Sequence, residues 1–256
     1  MPLNTRDIVL ALGERACRFD VDVLASCNST NAVLLERAES GAPSGAVVVS
    51  EFQTAGRGRR GRQWLSAPGD SLTFSLLWRF APGTVPVGLS LAVGLAVVQA
   101  LEKVDAGKTA LKWPNDLLRE GRKLGGILVE LVPGAPHAAV IGIGLNLRLP
   151  ASMPDELKAQ SAALTAQVPA EVILGNLLSV LLGVLEQFAA GGFAVLRAAW
   201  LARHAHENQP VRLLSDFEAP RSGICRGVDT DGALLFETDA GIERVLSGEI
   251  SLRGAP

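Results

Sequence analysis

At Asn208-Gln209-Pro210 the pattern of the chain changes. Before this point, apolar runs of helix and strand length alternate. After it come only short β-like pieces, at 211–215, 223–228, 233–238, 242–246 and 249–252, separated by turn pairs such as Asp231-Gly232. The break predicts a larger unit over residues 1–207 and a small β-barrel over 208–256. A barrel of about 45 residues buries too little core to stand alone, so it is expected to pack on the larger unit.

Within the larger unit, Ser29-Thr30-Asn31 ahead of Ala32-Val33-Leu34-Leu35-Glu36 has the polar cap and apolar spacing of a helix start. Gly41-Ala42-Pro43 stops that helix, which is expected to end at Glu39. Residues 46–49 and 72–78 read as strands with a Gly/Arg-rich loop between them, a loop with no regular pattern of its own. Residues 87–104 predict a buried helix, 124–132 and 138–147 adjacent strands, and 148–167 a polar connection. Helices are expected at 170–189 and 193–204.

Composition narrows the function classes. Of 256 residues, 48% are hydrophobic and 20% charged, which excludes a disordered or coiled-coil chain. The formal net charge of −2 gives no global pull toward nucleic acid or an anionic membrane, so anion binding must come from a local cluster. Three cysteines, Cys17, Cys27 and Cys225, show no metal or disulfide spacing and fit a reducing, cytoplasmic setting. The apolar stretches 89–101 and 172–185 fall short of the roughly 18 residues of a spanning helix, so no membrane segment is expected. The histidines, His137, His204 and His206, form no metal or triad pattern, and no protein-held metal is expected.

The local cluster lies at Gly56-Arg57-Gly58-Arg59-Arg60-Gly61-Arg62, four arginines and three glycines in seven residues. Glycines let the backbone approach a ligand closely, and guanidinium forks grip phosphate oxygens at two points, so the spacing suits a phosphate clamp. The bland reading of such a segment is a flexible basic loop that binds nucleic acid or nothing. Trp64 offers a flat face for a nucleobase or an arginine, and equally an anchor for the next strand. Two further blocks favour a small-ligand cleft. Lys112-Trp113-Pro114-Asn115-Asp116 leads through a turn to Lys123-Leu124-Gly125-Gly126, where a ligand could lie against the strand backbone. Ile141-Gly142-Ile143-Gly144-Leu145-Asn146 alternates glycine with apolar residues but lacks the third glycine of a dinucleotide fingerprint. No P-loop motif is present.

In their order and spacing these blocks resemble the biotin-protein ligase family, from about residue 20 to the terminal Gly248-Glu249-Ile250-Ser251-Leu252-Arg253. The resemblance implies an α+β fold over 1–207, a mixed β-sheet flanked by helices and related to class II aminoacyl-tRNA synthetases, with an SH3-like β-barrel over 208–256. It implies ATP-dependent attachment of biotin to a lysine of a biotin carboxyl carrier protein or domain through biotinyl-5′-AMP, with Mg²⁺ on the nucleotide. Members that repress transcription carry an N-terminal DNA-binding domain; barely 25 residues precede the matching pattern here, so DNA binding is not expected. A homodimer through the catalytic sheet is compatible with the resemblance.

Residue by residue, the resemblance puts Ser29, Thr30, Asn31 and Gln53 on biotin's ureido ring, with Gly125 and Gly126 also against biotin. Arg57, Gly58 and Arg59 wrap the acyl-phosphate, and Lys123 holds the adjoining acyl oxygen. Arg60, Trp64, Asn115, Asn146 and Arg253 complete the ATP and adenylate site. Lys112 assists adenylation, and Asp116 receives or orients the incoming lysine. Two rivals stand beside this reading: a lipoate-protein ligase-like acyl-adenylate transferase, and a non-enzymatic nucleic-acid binder using the Arg/Gly loop.

Overall fold

The computed structural model describes residues 3–151, 153–164, 168–215, 219–246 and 250–254, with Ser215 and 250–254 described by backbone alone. Its strands are β1 (Asp20–Leu24), β2 (Ala46–Ser50), β3 (Ser71–Arg79), β4 (Ala110–Lys112), β5 (Asp116–Arg119), β6 (Arg122–Val132) and β7 (Ala135–Asn146). They form one sheet in the order β1-β2-β3-β7-β6-β5-β4. β1 and β2 are parallel and all other neighbours antiparallel, which makes the sheet mixed. A parallel pair needs a crossover, and helix α2 (Thr30–Glu39) supplies it.

Strand parity separates two layers. Val47, Val49, Leu72, Phe74, Leu76, Ile141 and Ile143 point to one face, where they meet α1 (Thr5–Leu12), α3 (Leu89–Lys103) and α5 (Ala170–Gly191) in the main core. Burying a Leu or Phe side chain of this kind contributes about 1.5–3 kcal/mol. On the other face, α2 lays Leu34 and Ala38 over Val48, Leu77 and Val140, covering only one end of the sheet. The uncovered end of that face carries Thr73, Ser75, Gly142 and Gly144, the register partners Thr73–Gly144 and Ser75–Gly142 lying side by side. The same two rows continue into β6 as Gly144–Gly126 and Gly142–Leu128.

Several expectations need correction. α1 and β1 arise where no element was anticipated, and α4 (Asp155–Gln160) lies inside the supposed polar connection. The helix expected at 193–204 is a 3₁₀ turn followed by the short α6 (Arg197–Leu201). α5 runs 22 residues and is long and apolar enough to cross a membrane by length and composition, contrary to the shorter stretch read from sequence. It packs instead between α1 and α3, with 61% of its most apolar window buried. The Gly/Arg segment is also more regular than expected. The Gly58 and Trp64 amides donate to Arg62 O and Gly56 O at 2.7 and 2.9 Å, and Arg57 bridges Gln63, forming a hairpin with a 3₁₀ turn at Arg59–Gly61. Arg60 takes φ 61° at its tip.

The C-terminal strands are β8 (Pro210–Ser215), β9 (Arg221–Val228), β10 (Leu234–Thr238), β11 (Gly241–Val245) and β12 (Ile250–Gly254). They pair in the order β11-β10-β9-β8-β12, all antiparallel, a small SH3-like unit. Its β9–β10 turn docks on the first unit: the fully buried Trp113 donates from Nε1 to Gly232 O at 3.1 Å, and Arg197 Nε donates to Val228 O at 2.6 Å.

Candidate active site

A cavity of about 150 Å³ opens over the uncovered end of the sheet. Its floor is Thr73, Gly126, Leu128, Gly142 and Gly144; its walls are the first turn of α2, the basic hairpin and the 114–116 turn. The glycines are required by close approach. A Cβ on Gly144 would sit 2.5 Å from Trp64 Cε2, and one on Gly142 would overlap Asn31 Oδ1. Trp64 thus lies against the floor, its buried Nε1 without a hydrogen-bond partner among the described residues.

The α2 end of the cavity is a buried polar network. Gln53 Oε1 accepts from the Thr30 amide at 2.8 Å and from the Thr30 hydroxyl at 3.3 Å. The Ser75 hydroxyl lies 2.7 Å from the Thr30 hydroxyl and donates to Asn31 Oδ1 at 2.5 Å. Asn31 Nδ2 donates to Leu128 O at 3.2 Å and to Glu130 Oε2 at 2.8 Å. Ser29, Thr30, Asn31 and Gln53 are all buried, so their donors and acceptors are held in fixed directions.

The opposite end is electropositive. Arg57, Arg59, Arg60, Arg62 and Lys123 line the cavity against one carboxylate, Asp116, an excess of charge that favours an anion. Arg59 donates to Asn115 Oδ1 at 3.3 Å, and Asn115 Nδ2 donates to Ile127 O at 2.8 Å. Burial lowers the Arg59 pKa, Arg60 and Arg62 add to the shift, and Asp116 opposes it. Asp116 sits between Lys123 Nζ at 2.6 Å and Lys112 Nζ at 2.7 Å. Burial alone would raise its pKa; the two ammonium groups, Lys123 first, outweigh that and hold it at about 2.

Most of the residues singled out from sequence therefore meet in one place, drawn from positions 29 to 126. Of those whose side-chain positions are described, three do not line the cavity: Gly125, Lys112 and Asn146. Gly125 faces its neighbouring strand, where a Cβ would sit 2.5 Å from Gly144 O. Lys112 is buried behind Asp116. Asn146 donates from Nδ2 to Ala162 O at 3.0 Å, tying the segment after α4 to the sheet. The side chain of Arg253, with Gly248 and Glu249, lies outside the described residues. Sequence reasoning missed Ser75 and Thr73, although their alternation with Leu72, Phe74 and Leu76 was a usable signal, and it missed Glu130.

Residues 23–146 match the Biotin/lipoate A/B protein ligase family, and residues 206–253 match the Biotin protein ligase C terminal domain. The bifunctional ligase/repressor BirA of Escherichia coli (strain K12) is 39% identical over 92% of this chain and 74% of its own length. The biotin--[acetyl-CoA-carboxylase] ligase of Paracoccus denitrificans is 35% identical over 91% of this chain and 100% of its own. The structure of the biotin protein ligase from Aquifex aeolicus in complex with biotin and ATP superposes with a TM-score of 0.80, at 30% identity, over 92% of this chain and 99% of that one. The chain belongs to the biotin protein ligase family.

Proposed function

We infer that this protein is an ATP-dependent ligase that attaches biotin to a lysine of a carboxylase carrier protein or domain. The observation that carries the reading is the two-ended cavity: a buried network of neutral donors and acceptors at one end and a cluster of cations at the other. Biotin has the matching shape, a neutral ureido ring joined by an apolar chain to a carboxylate. The supporting relatives are named as biotin ligases, and one is known with biotin and ATP together.

In the first half-reaction the biotin carboxylate attacks the α-phosphate of ATP, giving biotinyl-5′-AMP and pyrophosphate. Two anions must meet, and the hairpin arginines and Lys123 offset their repulsion and stabilise the in-line transition state. We assign the ureido ring to Ser29, Thr30, Asn31 and Gln53, the acyl-phosphate to Arg57, Gly58, Arg59 and Lys123, and the adenine side to Trp64, with Arg60 and Asn115 around the nucleotide; Asn146, held by Ala162 O, and Arg253, whose side chain lies outside the described residues, are placed there by the resemblance alone. Mg²⁺ is read as accompanying ATP, where it would neutralise part of the charge on the phosphates.

In the second half-reaction the acceptor lysine's amine attacks the mixed anhydride and AMP leaves. Of the two roles open to Asp116, orientation fits better than proton acceptance. With the two ammonium groups holding its carboxyl well below the usual range, Asp116 is a weak acceptor for a proton from an ammonium of ordinary pKa about 10.4. Asp116 instead aims the incoming lysine and fixes Lys112 and Lys123; the ammonium gives its first proton to solvent before the amine attacks, and the proton freed as the amide forms and AMP leaves also passes to solvent. The basic hairpin is expected to tighten over the adenylate and shield it from water, an ordering that protection from protease with biotin plus ATP would report.

We take 1–207 as the catalytic domain and 208–256 as a bracing domain. The three free cysteines support a cytoplasmic setting. Residues 128–132 of β6 have no strand on the β5 side among the described residues, an edge open to a carrier or a second copy of the chain.

ATP–pyrophosphate exchange with purified protein, comparing biotin, lipoate and no acid, tests the assignment without requiring the right acceptor. Exchange with biotin alone is expected. Exchange with lipoate alone would keep the chemistry and overturn the substrate; exchange with neither would overturn the ligase reading.

A further inference from the structure

The hydrogen bonds beneath the cavity close on themselves. They run from Gln53, at the root of the basic hairpin, through Thr30 and Ser75 to Asn31, and then to Glu130. Glu130 returns the circuit to the hairpin, because the same oxygen, Oε2, accepts from Asn31 Nδ2 at 2.8 Å and from Arg57 Nη2 at 3.1 Å. One carboxylate oxygen is thus shared between the neutral end of the cavity and its cationic end. With only 28% of its side chain exposed, Glu130 is more than a solvated surface charge.

We propose that Glu130 is a positioning residue that couples the two ends: an anion taking Arg57 leaves the carboxylate to Asn31 alone, fixing the Asn31 amide for the ring ligand. The coupling runs both ways, since two sites that bias one element must affect each other equally. A ring ligand that orders Asn31 on Glu130 makes Arg57 more available to phosphate. Arg57 bears the charge and Asn31 the ring contact; Glu130 touches neither ligand and acts through both residues.

This inference rests on the biotin and ATP reading, and the test separates the two. Calorimetric biotin binding is measured with and without a non-reactive ATP analogue carrying a methylene between the α- and β-phosphorus, for wild type, Glu130→Gln and Glu130→Ala. Wild type is expected to bind biotin about fivefold or more tightly with the analogue present, the lower end of ordinary coupling between sites. In Glu130→Gln an amide oxygen still accepts from Asn31, so biotin alone binds near the wild-type affinity while the analogue's effect falls toward none. In Glu130→Ala biotin alone weakens by about tenfold, the loss of one partly buried, charged hydrogen-bond acceptor, and the analogue's effect is again absent. Wild type that binds biotin with no response to the analogue, or variants that respond as wild type does, would overturn the proposal. Wild type that binds no biotin would instead overturn the ligand reading, and the inference with it.

Discussion

Arg59 and Lys123 both line the cationic end of the cavity, yet their surroundings differ. Arg59 is carried by the hairpin that is proposed to close over the adenylate, and it is tethered sideways to Asn115. Lys123 is fixed in β6 by Asp116, a carboxylate ionised at every pH above about 2. Arg59→Ala is therefore expected to form adenylate but release it roughly 10–100-fold faster, the worth of a charge-assisted contact. Lys123→Ala is expected to slow formation by about 100-fold, as for loss of one preorganised charge at the reacting phosphate. Rapid-quench measurement of adenylate formed and adenylate escaping into solution distinguishes them; the same pattern in both variants would remove the division of labour.

At the scale of the element, the site depends on how β3, β7 and β6 are aligned. Ser75, Gly142 and Leu128 lie in one row, and Asn31 comes down onto the glycine. A methyl group there would displace the Asn31 amide from both Ser75 and Glu130. Gly142→Ala is expected to cost about 1–3 kcal/mol of stability by overpacking and to weaken biotin binding by at least about tenfold. Chemical denaturation and calorimetry read the two effects separately. Unaltered biotin affinity in a folded Gly142→Ala protein would mean that the Asn31 amide does not hold the ring.

At the scale of the whole molecule, the C-terminal sheet reaches the site through Trp113. This residue lies within the segment that carries Lys112, Asn115 and Asp116, and its indole donates across the domain contact to Gly232 O. Trp113→Phe keeps an aromatic side chain, smaller than the fully buried indole, and removes the donor. It is expected to cost about 1–2 kcal/mol, leaving a buried carbonyl unpaired, and to lower the exchange rate more than the stability loss alone accounts for. A urea midpoint and an exchange rate both equal to wild type would count against the brace. The junction also makes the fold sensitive to acid. His204 is pushed down to about 3, by burial first and by His206 second, and His206 is lowered by burial and by Lys112. Both ring nitrogens of His204 are buried without hydrogen-bond partners among the described residues. A histidine depressed in the folded state contributes its full stability above the unfolded value of about 6.5 and loses it as pH falls toward about 3, at roughly 1.4 kcal/mol per pH unit. Thermal melts between pH 7.5 and 5.5 are expected to show this decline, and His204→Phe to flatten it. Asp116, depressed from 3.8 to about 2, adds its own loss only below about pH 3.8.

The helix beginning at Thr30 and the strands on either side of the basic hairpin are legible in the sequence alone. These follow from short-range rules: caps and stops act over a turn, and the two-residue period of a strand fixes which side chains share a face. The hairpin's own pairing and α1 escaped those rules. Glycine-rich segments carry no apolar period, and α1 is short enough to owe its helix to packing on α5. No local rule shows that Gly126 and not Gly125 faces the cavity, that Asn146 braces a loop, or that Asn31 meets Glu130 across 99 positions; these follow from how the elements pack. The physical reason is register. Parity along one strand is local, but which strand lies beside it, and at what offset, is set by core packing on both faces, and a slip of one residue would turn the glycine floor toward the helices.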